Sequence, residues 1–425
     1  MKIQKMIRYG ITLFAICAVC ILPDTKALAR TSTTRVLPTD VATASRGNVL
    51  MGLEGSFAND VQNAVNRVNA IRKEACQKGY PDPRDPDRKL TMADYVPIKW
   101  SSDLEFIARI RAAEAAIYPQ HERPTGASCF DIAAPNGVTS YAEVLAWGAD
   151  TITGSVNMWY TEKSTWVKQR QGVTGHYTSM IHPDTTYMGM ANFDGTGAGE
   201  FTNEDWVAFD FMDGTVIKMD TTPLSSAKNI IQTIEVPASS LSKAKIVAMP
   251  GYTKKTSLSK NATVQYNLVR TYHSYGELQV LGDISWSSSN SSAVSVSQSG
   301  KAKASGYGKA VIKAVSSSGV SASVSVQVPV KVAATSITKI TAGKKKLTIT
   351  CKKKTVDGYE VQCSTKKNFK SGVKKKVVAG KGKTKITITK LKAKKKYYVR
   401  VRSYKLINGK KYYSSWSKVK TKKTS

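Results

Sequence analysis

Hydrophobic spacing changes once along this chain of 425 residues, and that change limits the folds open to it. Between Ser56 and about Met212, apolar residues often recur at three- and four-residue steps. Phe57, Val61, Ala64, Val65, Val68 and Ile71 form one such stripe. From residue 228 onward the background turns rich in Ser and Val, and the apolar residues alternate, as in Val294/Val296 and Val324/Val326/Val328. A period of two puts one face of a strand against a core and cannot line one face of a helix. The chain therefore reads as an α+β unit followed by all-β sandwiches. Its length suits two to four domains at ~150 residues each.

The front unit is placed at 53–212. A second helix is predicted behind the caps Ser101, Ser102 and Asp103, running through Leu104, Ile107, Ala108 and Arg111. The Pro/Asp stretch Tyr80–Arg88 is a predicted loop. Short helices are predicted around Tyr141–Trp147 and Gly154–Trp166, and strands at Tyr177–Ile181, Tyr187–Asn192 and Trp206–Phe211. Helices with interleaved strands and a closing strand suggest an α+β layer sandwich. Residues 228–330 and 332–425 are two predicted β-sandwiches. In the second of these the inward sets are Leu347/Ile349/Cys351, Tyr359/Val361/Cys363 and Val399/Val401.

The first 29 residues read as a signal peptide. Lys2, Lys5 and Arg8 precede an uncharged run from Ile11 to Leu22, and Ala27-Leu28-Ala29 supplies the cleavage pattern. The run is shorter than the ~20 residues of a membrane span. Cys17 and Cys20 lack the small residues that lead a lipidated cysteine. The mature chain is expected to start near Arg30, with residues 30–52 as a flexible leader. Lys-Lys-Thr-Ser at the end, without an apolar tail, gives no expectation of sortase anchoring. Of the remaining cysteines, Cys76 with Cys129 and Cys351 with Cys363 are candidate disulfides in an exported chain, with free buried thiols as the alternative. Their spacing fits no CxxC metal pattern.

The net charge of +34 is confined to one end. From Lys331 onward there are 31 Lys/Arg against two acids, Asp357 and Glu360, whereas the rest of the chain carries 33 bases and 28 acids. Lysines on edge strands keep sheets from pairing with other chains. They also grip polyanions, and outside a Gram-positive cell the abundant ones are teichoic acid and the peptidoglycan wall. Nucleic acid is not expected, because 29 of the 31 bases are Lys and no base-reading motif is present.

Four histidines, His121, His176, His182 and His273, carry the chemistry that spacing can suggest. His121 and His176, with Glu143 and Glu162, form a candidate set. Imidazoles hold a divalent metal such as zinc, and a carboxylate positions water or orients the ring. No HExxH is present and the four are scattered, so a purely structural role for each stays open on spacing alone. His182, followed by Pro183 and Asp184, is expected to be exposed at a turn. Ser179 has no paired base in any motif and is read as structural.

Gly-His-Tyr-Thr-Ser-Met-Ile at 175–181, Trp-Tyr-Thr-Glu at 159–162, Glu-Val-Leu-Ala-Trp at 143–147 and His-Glu-Arg-Pro-Thr-Gly at 121–126 together resemble the CAP family of cysteine-rich secretory, antigen 5 and pathogenesis-related 1 proteins. The resemblance covers about Ser56 to Phe211. It implies an α-β-α sandwich with an open cleft in which His121, Glu143, Glu162 and His176 form a tetrad. Ala142-Glu143-Val144 departs from the usual Gly-Glu-Asn, and His182 stands where an apolar residue or Trp is usual. Family members are linked to lipid, sterol, protein and metal binding and, less firmly, to proteolysis. Residues 228–330, through Ile284-Ser285-Trp286 and Gly308-Lys309-Ala310-Val311-Ile312, resemble a bacterial Ig-like group 2 domain. Residues 332–425, through Gly358-Tyr359-Glu360-Val361-Gln362 and Tyr397-Tyr398-Val399-Arg400, resemble a fibronectin type III module with Tyr397 as its corner tyrosine. Three roles follow: a secreted wall-associated binder of a small-molecule, lipid or protein ligand, a metal-assisted hydrolase using the same tetrad, or an adhesin with an inert cleft. Enzyme activity is not favoured.

Overall fold

A computed structural model of the protein describes residues 35–210, 217–273 and 276–425. The predicted signal peptide and the first leader residues lie outside the described residues, as do Phe211 and Met212. Among the described residues no helix is long and apolar enough to cross a membrane.

Two strands, β1 (Val36–Leu37) and β2 (Asn48–Gly55), precede the first helix, α1 (Val61–Lys78). After α1 come β3 (Pro81–Asp82), β4 (Asp85–Lys89), β5 (Lys99–Trp100), α2 (Ser102–Ile117), β6 (Ala142–Trp147), α3 (Ile152–Tyr160), α4 (Lys163–Val167), α5 (Gly175–Ile181), β7 (Tyr187–Phe193), β8 (Thr196–Thr202) and α6 (Glu204–Asp210). A sheet of order β5-β7-β8-β6 forms the middle layer, antiparallel except for the parallel β5–β7 pair. Every residue of β7 and β8 is buried, because both faces of the sheet are covered. Ala64, Val68, Ile71, Val156, Trp159, Tyr177 and Met180 of α1, α3 and α5 pack on one face with Val144, Ala146 and Met190. Helix α2 covers the other face. Gly189 of β7 lets it approach closely, since a β-carbon there would lie 2.1 Å from the Glu105 backbone nitrogen.

The predicted cap of α2 forms, and glycine ends α1. Ser101 Oγ accepts the Leu104 amide at 3.2 Å to start α2. Gly79, at φ +62°, closes α1. Four local expectations fail. Ala142–Trp147 is strand β6, Tyr177–Ile181 belongs to helix α5, Glu204–Asp210 is a helix where a strand was expected from Trp206, and the predicted Tyr80–Arg88 loop carries the strand pair β3–β4. Each is a short segment, for which periodicity cannot separate a helix turn from a strand.

The second module contains β9 (Ile230–Pro237), β10 (Lys245–Met249), β11 (Thr263–Tyr272), β12 (Gly276–Val280), β13 (Ile284–Ser288), β14 (Ser295–Val296), β15 (Lys301–Lys303), β16 (Gly308–Ser316) and β17 (Ser321–Val328). Its large sheet has the order β1-β9-β2-β12-β11-β15-β14, with β10 also on β11, and it faces the sheet β13-β16-β17. The described part of the leader, from residue 35 on, is thus not a flexible segment. Val36 pairs with Ile231, and β2 pairs with β9 over its full length, from Asn48 opposite Pro237 to Gly55 opposite Ile230. The front domain is an insertion between two neighbouring strands of this sandwich.

The insertion explains α2. Thirteen of its sixteen residues are buried. Ala108, Ala112, Ala113, Ala115 and Ile117 share one continuous core with Ile230, Ile234 and Val236 of β9. Leu104, Ile107 and Ile110 pack with Tyr187 of β7 in another cluster. The helix lies between two sheets, so it is apolar on nearly all sides.

The third module holds β18 (Ile337–Gly343), β19 (Lys346–Cys351), β20 (Gly358–Ser364), β21 (Lys374–Ala379), β22 (Lys385–Ile388), β23 (Lys396–Ile407), β24 (Lys410–Tyr413) and β25 (Lys420–Lys423). Sheets β18-β19-β22 and β21-β20-β23-β24, with β25 also on β23, enclose the three predicted inward sets. Tyr397 Oη accepts the Lys392 amide at 2.9 Å, the corner contact expected of it. Lys374–Lys376 on β21 and all of β25 are exposed, which puts cationic side chains on outer strands of this sheet.

The cysteine pairs do not form. Cys76, Cys129, Cys351 and Cys363 are free and buried. Cys76 packs with α1, α3 and α5 on one side of the front sheet. Cys129 has Glu143 and Glu200 for neighbours on the α2 side. Cys351 and Cys363 stand on different sheets of the third module, in one apolar core.

Candidate functional site

His121, Glu143, Glu162 and His176 come together as two matched pairs. Strand β6 carries Glu143, and the loop after α2 brings His121 to it, with Nδ1 2.8 Å from Glu143 Oε1. The turn between α3 and α4 carries Glu162, whose Oε1 lies 2.5 Å from Nδ1 of His176 in the first turn of α5. The two rings stack at 25°, with centroids 6.4 Å apart. Each imidazole is thus held through Nδ1 by its own carboxylate. Neither Nε2 makes a hydrogen bond to a described residue, so Nε2 is the nitrogen each ring offers to a ligand.

The two carboxylates are fixed differently. Glu162 is a cap borrowed from elsewhere in the chain. Its Oε2 accepts the backbone amides of His176 and Tyr177, each at 3.1 Å, at the start of α5. Glu143 instead has no exposed side-chain surface and belongs to a buried series of charges. Arg111 Nε donates to Glu143 Oε2 at 2.5 Å, and its Nη1 donates to Glu114 Oε2 at 2.7 Å. Glu114 Oε1 accepts from Arg123, which also forks onto Asp40 at 2.7 and 2.8 Å. The series runs from the segment between β1 and β2 through α2 to His121. Burial pushes the Glu143 carboxyl up, but Arg111 and His121 outweigh it and hold the group below the usual carboxylate range.

Glu200 stands behind Glu143. The two residues are directly opposed in the β6–β8 pair. Ser140 Oγ donates to Glu200 Oε2 at 2.7 Å, and Oε1 makes no hydrogen bond. Burial first, and then the charge of Glu143, push Glu200 well above its ordinary range. The Cys129 thiol is likewise pushed up, mainly by burial.

The remaining candidates stay apart. His182 is half-buried rather than exposed, and its electrostatic neighbours are Asp184, Arg84 and Asp82. Burial pulls its pKa down. Its turn is held by Arg72, which donates to the carbonyls of Val96, Met180, His182 and Thr185 at 2.9 to 3.0 Å. Ser179 Oγ donates to Gly175 O at 2.8 Å within α5, and His273 lies exposed in the second module against Tyr272. Among the described residues no group of three or more His, Cys, Asp or Glu is arranged to hold a metal.

Spacing did not reveal Asp40, Arg72, Glu114, Arg123 and Glu200. The signal for some of them was present. Glu105, Arg109, Arg111 and Glu114 interrupt an otherwise apolar helix, and a charge inside a buried stripe needs a partner.

Residues 65–202 match the model of the CAP family, described as the Cysteine-rich secretory protein family. No curated protein matches the chain. Similar solved structures include a computer-based redesign of a β-sandwich protein, at 19% identity over 22% of this chain and 91% of that one, with a TM-score of 0.18. An intimin mutant of EHEC O157:H7 is 19% identical over 24% of this chain and 54% of that one, with a TM-score of 0.16. The fibronectin type-III domain of human fibronectin type III domain containing protein 3 is 22% identical over 22% of this chain and 82% of that one, with a TM-score of 0.17.

Proposed function

We propose that the CAP-type domain at residues 65–202 binds an extracellular ligand between His121 and His176, while the β-modules behind it hold the exported chain at the cell wall. The observation that carries this reading is the pairing of each imidazole with its own buried or capped carboxylate. A neutral ring donating through Nδ1 presents a lone pair on Nε2. Two such acceptors on stacked rings, fixed by side chains packed into strands and helix ends, form a pre-organised receptor for a donor-bearing ligand. A divalent metal would be held by His121 and His176 with the carboxylates as orienting partners. Zinc sites take three or four protein ligands, so a bound molecule would have to complete this one.

Zn²⁺ probes the convergence of the two Nε2 atoms. Calorimetric titration of the full chain is expected to show one site that is lost in His121→Ala/His176→Ala. Equal uptake by wild type and variant would sink the convergent-acceptor reading. For the wall, full-chain retention on purified Gram-positive walls is expected to fall steeply with salt, since screening shortens to about 3 Å at 1 M. Retention indifferent to salt would remove the lysine grip.

A further inference from the structure

The third module gathers lysines from three separate segments at one end. Strand β18 carries the chain from the end where it enters the module to the opposite end, where Gly343 faces Lys346 across the β18–β19 turn. Leu391, in the loop between β22 and β23, donates its amide to the Lys345 carbonyl of that turn at 3.0 Å. In the same loop Lys395 donates its amide to Thr424 Oγ1 at 3.2 Å, and Thr424 returns its own amide to the Lys395 carbonyl at 3.0 Å. Lys396 lies opposite Lys423 in the β23–β25 pair. These contacts bring Lys344–Lys346, Lys394–Lys396 and Lys422–Lys423 together, all of them exposed. Both acids of the module lie elsewhere. Glu360 is paired with Arg402 at 2.9 Å in mid-sheet, and Asp357 accepts the Leu406 amide at 2.7 Å at the opposite end.

Backbone conformation sets these turns apart. Lys345, Lys390 and Lys394 sit at φ +55°, +58° and +53°. Left-handed positions favour Gly and Asn. The turns at the opposite end follow that preference, with Gly380, Asn408 and Gly409 at +101°, +47° and +77°. Lysine at the three positions costs backbone energy that Gly would spare. What the chain gains there is an exposed ammonium group at each.

Paired strands stand about 5 Å apart, inside the ~10 Å reach of a charge at 0.1 M salt. The ammonium groups therefore act as one multiply charged surface. A flexible chain with a phosphate at every repeat matches such a surface, whereas the isolated carboxylates of a peptide cross-link engage one lysine at a time. The planar fork that reads a single carboxylate is already in use. Arg400 is stacked between Phe369 and Trp416 and bonded to Gln362, and Arg402 is stacked between Trp416 and Tyr413 and bonded to Glu360. We propose that this end of the third module binds a phosphate-bearing linear polyanion of the teichoic-acid type. The proposal rests on the wall reading for the source of the polymer and on the lysines for the site.

Poly(glycerol phosphate), titrated into the full chain by calorimetry between about 50 and 200 mM salt, decides it. Wild type is expected to bind with an affinity that falls steeply with salt. Lys345→Asn/Lys394→Asn is expected to lower the salt slope by roughly 0.7 per lysine and to weaken binding about tenfold, while melting at or above the wild-type temperature. Lys352→Gln/Lys353→Gln removes the same charge at the other end of β19, about 20 Å away, and is expected to bind within about threefold of wild type, since that distance exceeds the screening length. Walls stripped of their phosphate polymers are expected to retain less of the full chain than intact walls. No binding of the polymer, equal weakening by the two lysine pairs, tighter binding of single-stranded DNA than of poly(glycerol phosphate), or equal retention on stripped and intact walls would each overturn the assignment. Polymer binding with the expected variant pattern but no retention on any wall would support the site and sink the wall reading instead.

Discussion

Glu143 and Glu200 face each other across the β6–β8 pair, both shut off from solvent, yet only Glu143 has an arginine and a histidine bonded to it. Its partners hold one carboxyl below the usual carboxylate range, and burial beside that charge pushes the other well above it. With Glu200 raised above its ordinary value of 4.5, the folded chain binds a proton there that the unfolded chain has released. Its contribution is fully present below that ordinary value and is lost as pH rises, by about 1.4 kcal/mol per pH unit up to the folded pKa. Glu200→Gln keeps the shape without the titration. It is expected to match wild-type stability near pH 4 and to exceed it at pH 8 in urea unfolding. A constant difference across that range would contradict the assignment.

Arg111 neutralises two buried carboxylates at once. Arg111→Met leaves Glu114 and Glu143 short of a partner. It is expected to destabilise the chain by ~3–5 kcal/mol, the usual cost of breaking a buried pair. Chemical denaturation measures this. A loss under 1 kcal/mol would show that the series is not needed for folding.

Glu162 caps α5 and holds His176 with the same carboxylate. Glu162→Ala is expected to cost ~1 kcal/mol, typical of a lost cap, and to lower Zn²⁺ affinity through a mispositioned His176. Glu162→Gln retains one acceptor oxygen and is expected to recover part of the stability. Thermal melts and zinc titration separate the two effects.

Gly189→Ala drives a β-carbon into the backbone of α2 at Leu104 and Glu105. Backbone on both sides cannot yield as a side-chain tip can, so a loss of ~3 kcal/mol or more is expected. Urea midpoints report it, and a wild-type midpoint would refute the close contact.

Residues 228–330 produced alone lack β2, the strand between β9 and β12. That fragment is expected to show no cooperative melting transition, whereas a chain starting at residue 35 melts cooperatively. A folded 228–330 fragment would show that β2 is dispensable.

Much of the site was legible before the structure. The four tetrad residues are legible in their local wording, because each sits in a short characteristic run of residue types. Their elements are not. The spacing puts Glu143 on a helix and His176 at the entry to a strand, since segments of six or seven residues satisfy either period. Glu200 and Asp40 carry no local signal, because their partners lie 60 and 83 residues away.

The sequence by itself determined the order of α+β and all-β regions, the N-terminal cap of α2, the corner tyrosine and the confinement of charge to the last module. These depend on spacing and composition within a few turns of chain. Only the tertiary structure decided that β1 and β2 belong to the second sandwich, that α2 is buried between two sheets, and that each histidine has its own carboxylate. These depend on pairing between residues up to about two hundred positions apart, where loop closure and core packing choose the partner and local pattern cannot.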